Sequence, residues 1–170
     1  MNKTVRVALI ALMCVGAAAC SKKQEVKPAP PAPAPEVAQT EAPPPSNKYT
    51  PEDLDTDACL RQRVVYFDFD KSEIKPEFQQ IMACHAKYLQ DRPSAQLRLE
   101  GNTDERGTRE YNLGLGERRA NAVDSALQAN GASASQMTVI SYGKEKPVCR
   151  EHNEDCWSKN RRVEIVYTAQ

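Results

Sequence analysis

The chain has 170 residues, with 23 basic and 23 acidic side chains and a formal net charge of zero. That balance excludes the electrostatic footprint expected of a nucleic-acid binder. The length allows one compact domain with its own core, plus whatever targeting and linking segments the ends carry.

Residues 1–19 read as a targeting segment, outside any fold. Lys3 and Arg6 give a positive start, Val7 to Gly16 an apolar middle, and Ala17-Ala18-Ala19 a small-residue approach to Cys20. The apolar run is too short for a spanning helix. An ordinary secretory signal is one reading; the sharper one is a lipoprotein signal, because the tripeptide before Cys20 resembles a lipobox. Cys20 then becomes the lipidated first residue, and several acyl chains make a stable anchor where a single chain does not. Ser21 follows, not the Asp that favours inner-membrane retention in similar Gram-negative signals, which implies the outer membrane.

Residues 20–55 are expected to be the lipidated N-terminus and a spacer. Eight of the chain's twelve prolines lie between Pro28 and Pro45, mixed with Ala, Glu and Gln. Such a composition buries too little apolar surface to offset ordering entropy and favours extended polyproline II. Residues 56–170 are expected to form the folded domain.

Within it, Arg63 to Phe69 reads as a strand with Val65, Phe67 and Phe69 on one face. Ser72 and Pro76 open a helix carrying Phe78, Ile81, Met82, Tyr88 and Leu89 at three- and four-residue spacings. Gln96 to Glu100 alternates as a second strand. A helix from about Arg109 to Asn130 ends at Gly131, a left-handed cap. Met137 to Tyr142 is a third strand, followed by a loop. Arg161 to Thr168 is the last, with Val163, Ile165 and Tyr167 inward. The order predicts an α/β two-layer sandwich, strand–helix–strand–helix–strand–strand, with helices covering a mixed sheet. Strand order is left open.

The second helix carries the most informative residue. With Leu115 as zero and about 100° per residue, Ala122, Val123, Ala126 and Leu127 fall within roughly 140° of one another. Arg119 lands near the middle of that apolar arc, and Arg118 at its solvent edge. Desolvating a guanidinium is costly unless acceptors meet it. Asp104, in the charged loop Gly101-Asn102-Thr103-Asp104-Glu105-Arg106-Gly107, is one candidate partner, and a ligand carboxylate is the other. Arg161 and Arg162 read only as one inward and one outward strand residue.

With Cys14 in the signal and Cys20 lipidated, Cys59, Cys84, Cys149 and Cys156 remain. An even count in an exported domain points to disulfides. Of the three pairings, Cys59–Cys84 with Cys149–Cys156 is favoured, contributing roughly 3.5 and 2.5 kcal/mol by loop entropy. Zinc is the competing use, since His85 adjoins Cys84 and His152 lies between the other pair. The spacings do not match usual zinc motifs, so no metal and no cofactor is expected. His85 is read as a helix-surface or core-edge residue and His152 as a loop residue.

Gly101 to Ala120, read with Val65 to Asp70, Ser141 to Pro147 and Ser158 to Val163, closely resembles the signature of the OmpA-like peptidoglycan-binding domain. The resemblance runs from about residue 60 to the end and is strongest toward lipid-anchored members. Asn102 departs from it, standing where many relatives carry His, and the four domain cysteines are not general to the family. The resemblance implies non-covalent binding of the peptidoglycan stem peptide through meso-diaminopimelate, whose side chain ends in an ammonium and a carboxylate on one carbon. It places Asp104 against the ammonium, Arg119 against the carboxylate and Asp70 on the same pocket. Asn102, Thr103, Arg106 and Asn112 are supporting donors and acceptors. A planar guanidinium grips a carboxylate with two parallel hydrogen bonds, which lysine cannot do. Replacing Arg119 or Asp104 by Ala is expected to weaken binding without unfolding the domain.

The resemblance further implies a domain facing the periplasm, a tether between outer membrane and cell wall, and partnership with TolB and other Tol proteins during envelope constriction. Two other function classes compete. A wall hydrolase would use paired carboxylates such as Asp104 and Glu105 or Asp68 and Asp70, but adjacent loop carboxylates give no reason to expect the separation glycoside cleavage needs. An adaptor would have a periplasmic protein such as TolB as its main ligand.

Overall fold

The computed structural model describes residues 48–170. The signal, the lipidation site at Cys20 and the proline-rich part of the spacer lie outside the described residues.

A short helix α1 (Asp53–Thr56) leads into strand β1 (Val64–Tyr66), then a 3₁₀ turn (Pro76–Phe78) into helix α2 (Gln79–Asp91). Strand β2 (Gln96–Asn102), helix α3 (Arg109–Ala129), strand β3 (Met137–Gly143), helix α4 (Glu154–Asn160) and strand β4 (Arg162–Ala169) complete the domain. The four strands form one mixed sheet in the order β1-β4-β2-β3. The pairs β1–β4 and β4–β2 are antiparallel and β2–β3 is parallel.

Alternation along the strands sorts the two faces. Val65, Leu97, Leu99, Val163 and Ile165 point into the core and meet Ile81, Met82, Leu89, Val123 and Leu127 from α2 and α3. The opposite face is charged, with Arg98 bonded to Glu100 at 2.6 Å and Arg162 to Glu164 at 2.5 Å. The architecture is the expected two-layer α/β sandwich, and both expected disulfides are present, Cys59–Cys84 and Cys149–Cys156.

Three local readings need correction. β1 stops at Tyr66, and Phe69 is 56% exposed instead of inward. The chain leaves the sheet there because Asp70 takes a left-handed backbone (φ 58°), a conformation that Asp tolerates better than most side chains. Residues 154–160 are a helix and not a loop: Asn153 caps it by accepting from the Cys156 N–H at 2.9 Å, and Glu154 and Asp155 favour its first turn. His85 is fully buried. Its Nε2 donates to the Gln62 carbonyl at 3.0 Å and its Nδ1 accepts from the Tyr167 hydroxyl at 2.7 Å, so a polar ring is satisfied inside the core.

Glycine sets how closely α3 approaches the sheet. A Cβ at Gly101 would lie 1.9 Å from the Gly116 carbonyl oxygen. Backbone therefore packs on backbone, and the N-terminal half of α3 is held against the end of β2.

Candidate functional site

That close approach places the end of β2, the start of α3 and the turn after β1 around one cleft of about 190 Å³. The volume matches roughly six waters, the scale of an amino-acid headgroup. Phe69 and Asp70 come from the turn, Thr103, Asp104, Arg106 and Gly107 from the loop after β2. Helix α3 adds Tyr111, Asn112, Leu115 and Arg119, and Arg161 completes the lining. Two carboxylates thus face three guanidiniums.

Arg119 is fully buried, as its place on the apolar stripe requires. Its partners are peptide carbonyls, however, and not Asp104. Nε donates to Lys71 O at 2.8 Å, Nη1 to Asn102 O at 3.1 Å and Nη2 to Asp68 O at 3.0 Å. The turn after β1 curls over the guanidinium and offers two of these carbonyls. A guanidinium has five N–H groups, so Nη1 and Nη2 each keep one more donor. Burial, then the nearby Arg161 charge, lower its pKa to about 10. It remains a cation at neutral pH.

Asp104 is 4% exposed. Its Oδ2 accepts from Arg106 Nη2 at 2.5 Å and Arg161 Nη1 at 3.3 Å, and its Oδ1 from the Arg106 backbone N–H at 3.1 Å. Burial alone would raise its pKa, but the hydrogen bonds from Arg106 and Arg161 outweigh burial and hold it below the usual carboxylate value. Arg106 is itself layered between two aromatic rings, its guanidinium carbon 4.0 Å from the Phe69 centroid and 4.2 Å from that of Trp157. Its bond to Asp104 raises its pKa further.

Asp70 sits exposed at the mouth and accepts a hydrogen bond from the Tyr111 hydroxyl. Asn112 pins the loop to α3, donating to Arg106 O at 2.8 Å and Thr108 O at 3.0 Å. Thr108 caps α3 by accepting the Tyr111 N–H, and Gly107 takes the left-handed φ of 93° that the turn demands.

Of the seven anticipated ligand residues, six line the cleft: Asp70, Thr103, Asp104, Arg106, Asn112 and Arg119. Asn102 does not. Its amide is buried and tied back to Glu100 O at 2.9 Å, and it meets the site only through its carbonyl. Arg161, Phe69 and Trp157 were not anticipated as site residues. Arg161 is 5% exposed and joins Phe67 O, Asp104 and Glu154 at 3.0, 3.3 and 2.5 Å. Its reading as a strand residue hid it, because it caps α4 just before β4 starts.

A sequence profile described as the OmpA family matches residues 66–161. The chain belongs to the OmpA family. A peptidoglycan-associated lipoprotein of Haemophilus influenzae is 41% identical over 167 residues, spanning 98% of this chain and all of that one. Another, from Pseudomonas aeruginosa, is 49% identical over 113 residues, covering 66% of this chain and 67% of that one. The solved peptidoglycan-associated lipoprotein of Burkholderia pseudomallei superposes with a TM-score of 0.66 at 46% identity, covering 68% of this chain and 98% of that chain. Within the OmpA family this chain therefore stands with the peptidoglycan-associated lipoproteins. The C-terminal domain of Helicobacter pylori MotB, 24% identical with a TM-score of 0.58 over 63% of this chain and 84% of that one, shares the fold.

Proposed function

We propose that this chain is an outer-membrane lipoprotein that grips the peptidoglycan stem peptide non-covalently through meso-diaminopimelate and so tethers membrane to wall. The observation that carries the reading is the meeting of Asp70, Asp104 and Arg119 on one headgroup-sized cleft. The ligand's ammonium goes to the Asp70 and Asp104 carboxylates, and its side-chain carboxylate takes the spare donors of Arg119. The lining carries three arginines against two aspartates, so an anionic group entering beside the ammonium is welcomed. The names borne by the relatives from Haemophilus influenzae and Pseudomonas aeruginosa agree with this ligand. Cys20 is proposed as the acylated residue, with the proline-rich stretch after it as the spacer and the folded domain as the wall-binding part in the periplasm. That domain begins earlier than residue 56, since Leu54 of α1 is buried in its core. The intact mass of the mature protein tests the acylation.

The ligand supplies the cleanest test. Calorimetry of the folded domain should show binding to stem peptides containing meso-diaminopimelate and at least tenfold weaker binding to lysine-containing ones, because the lost carboxylate removes a charge-assisted bond of about 1.5–3 kcal/mol. Equal affinity for the two peptides rejects the proposed pocket.

A second role, as an adaptor for TolB and other Tol proteins at envelope constriction during cell division, draws on a different observation. Phe69 and Tyr111, 56% and 46% exposed, form an apolar rim on the same cleft. Such a rim suits a protein surface. If both roles share the rim, stem peptide added to a TolB pull-down displaces TolB; undiminished capture separates the two surfaces.

A further inference from the structure

Trp157 is the chain's single tryptophan, and it stacks on Arg106, a residue that lines the cleft. It follows Cys156, whose disulfide to Cys149 closes a short segment ahead of β4. The indole ring forms one wall of the Arg106 sandwich at 4.2 Å, and its Nε1 donates to Glu105 Oε1 at 2.8 Å. The same Glu105 oxygen meets His152 Nδ1 at 2.6 Å. Glu154 bonds Arg161 at 2.5 Å and lies 3.7 Å from Arg106 Nη2. Asn160 ties the segment's ends: Oδ1 accepts from the Val148 and Cys149 N–H groups, and Nδ2 donates to Cys149 O at 2.7 Å. Apart from a backbone N–H in its own loop, the Asp104 carboxylate is bonded, among the described residues, by Arg106 and Arg161 alone. Glu154 inside the closed segment supports Arg161, and Trp157, immediately after it, supports Arg106.

We propose that the Cys149–Cys156 segment braces the ligand site from behind its lining, with Trp157 the positioning residue that holds Arg106 over Asp104. This rests on the cleft being the diaminopimelate site. An incoming ammonium must share Asp104 Oδ2 with Arg106. A long arginine free in solvent would compete from many rotamers, whereas one clamped between two rings has a narrow path. Along it, Glu154 is a second carboxylate already within 3.7 Å. Clamping keeps the acceptor oriented while Arg106 makes room, and cation–π stacking on both faces stabilises the clamp. Neither disulfide lines the cleft itself. The Cys59–Cys84 bridge joins the segment before β1 to α2, whereas the Cys149–Cys156 segment and the residue after it touch Arg106 and Arg161, which do line it.

The test titrates the oxidised domain with a stem tripeptide ending in meso-diaminopimelate, by calorimetry and by fluorescence of Trp157. The expected result is an emission change that saturates with the calorimetric isotherm. Trp157→Ala should bind about tenfold more weakly and Trp157→Phe within about threefold of wild type, since a phenyl ring restores most of the stacking. The double variant Cys149→Ser/Cys156→Ser should lose about tenfold, while Cys59→Ser/Cys84→Ser melts at lower temperature yet binds as wild type does. Wild-type affinity in Trp157→Ala, or equal losses from removing either disulfide, overturns the proposal. If the Cys149→Ser/Cys156→Ser protein does not fold, the pair of Trp157 variants decides alone. Absence of any calorimetric signal with the wild-type protein instead rejects the cleft as the diaminopimelate site, which is a separate failure.

Discussion

The site's residues divide by what else they do, and that division decides which substitutions report on ligand. Arg119 gives three hydrogen bonds to carbonyls of Lys71, Asn102 and Asp68. Arg119→Ala leaves the buried Asn102 carbonyl unsatisfied, at about 1–3 kcal/mol, removes two part-buried bonds to the turn after β1, and empties the space of a fully buried side chain. The variant should lose on the order of 3–5 kcal/mol of stability in urea unfolding, so its binding defect mixes ligand contact with folding. That replaces the expectation, drawn from sequence, that the substitution spares the fold. Asp70 is the better probe. Its carboxylate is exposed, and Asn tolerates the same left-handed backbone. Asp70→Asn should weaken stem-peptide binding about tenfold, by removing one charged partner of the ammonium, with an unchanged unfolding midpoint. Unchanged affinity would remove Asp70 from the site. The two arginines also differ in legibility. Arg119 was visible because helical periodicity put a cation among Leu115, Val123 and Leu127, all buried in the structure. Arg161 was not, since nothing in its own neighbourhood signals that Asp104, 57 positions away in sequence, will meet it.

At the scale of elements, the approach of α3 to the sheet positions everything the helix contributes to the cleft. A methyl group on Gly116 would lie 2.4 Å from Ser141 Oγ and 3.0 Å from Gly101 O. Intrinsic preference favours Ala over Gly inside a helix by about 1 kcal/mol. Overpacking costs about 1–3 kcal/mol, and here one neighbour is backbone, while Ser141 Oγ is already bonded to Leu113 O at 2.6 Å. The steric term wins. Gly116→Ala should therefore lower stability by about 1–2 kcal/mol and weaken stem-peptide binding as well, because Tyr111, Asn112 and Arg119 move with the helix. A stabilised variant would show that α3 has slack. The strong periodicities made α2, α3 and β2 to β4 legible, whereas β1 was overestimated because its apolar alternation runs past Tyr66 into the turn that builds the cleft. Helix α4 was missed because it is short and lacks an apolar stripe; its local signals are the Asn153 cap, two acidic residues in the first turn and Lys159 in the last.

For the whole molecule, the first loss of stability on acidification comes from the core, and the cleft follows at lower pH. His85 is held neutral: a carbonyl on Nε2 obliges that nitrogen to carry the proton, leaving Nδ1 to accept from Tyr167. Burial, opposed in part by the Gln62 hydrogen bond, lowers its pKa from 6.5 to about 4. In the unfolded chain the ring titrates near 6.5. Below that pH the unfolded state binds a proton the folded state refuses, so stability falls as pH drops from 6.5 and goes on falling to about 4. Linkage puts the loss at about 2 kcal/mol between pH 7.5 and 5. Asp104 acts lower: its depressed pKa gives stability that is intact above the unfolded carboxylate value and is lost as pH falls through the folded one. His152 titrates upward through Glu105 but is 81% exposed on its side chain and belongs to the surface. Urea unfolding of wild type and His85→Gln at pH 7.5, 6 and 5 separates these contributions. Gln donates to the Gln62 carbonyl and accepts from Tyr167 without titrating, so its stability should stay level over that range while the wild type declines. Parallel curves for the two proteins would move the acid sensitivity elsewhere in the fold.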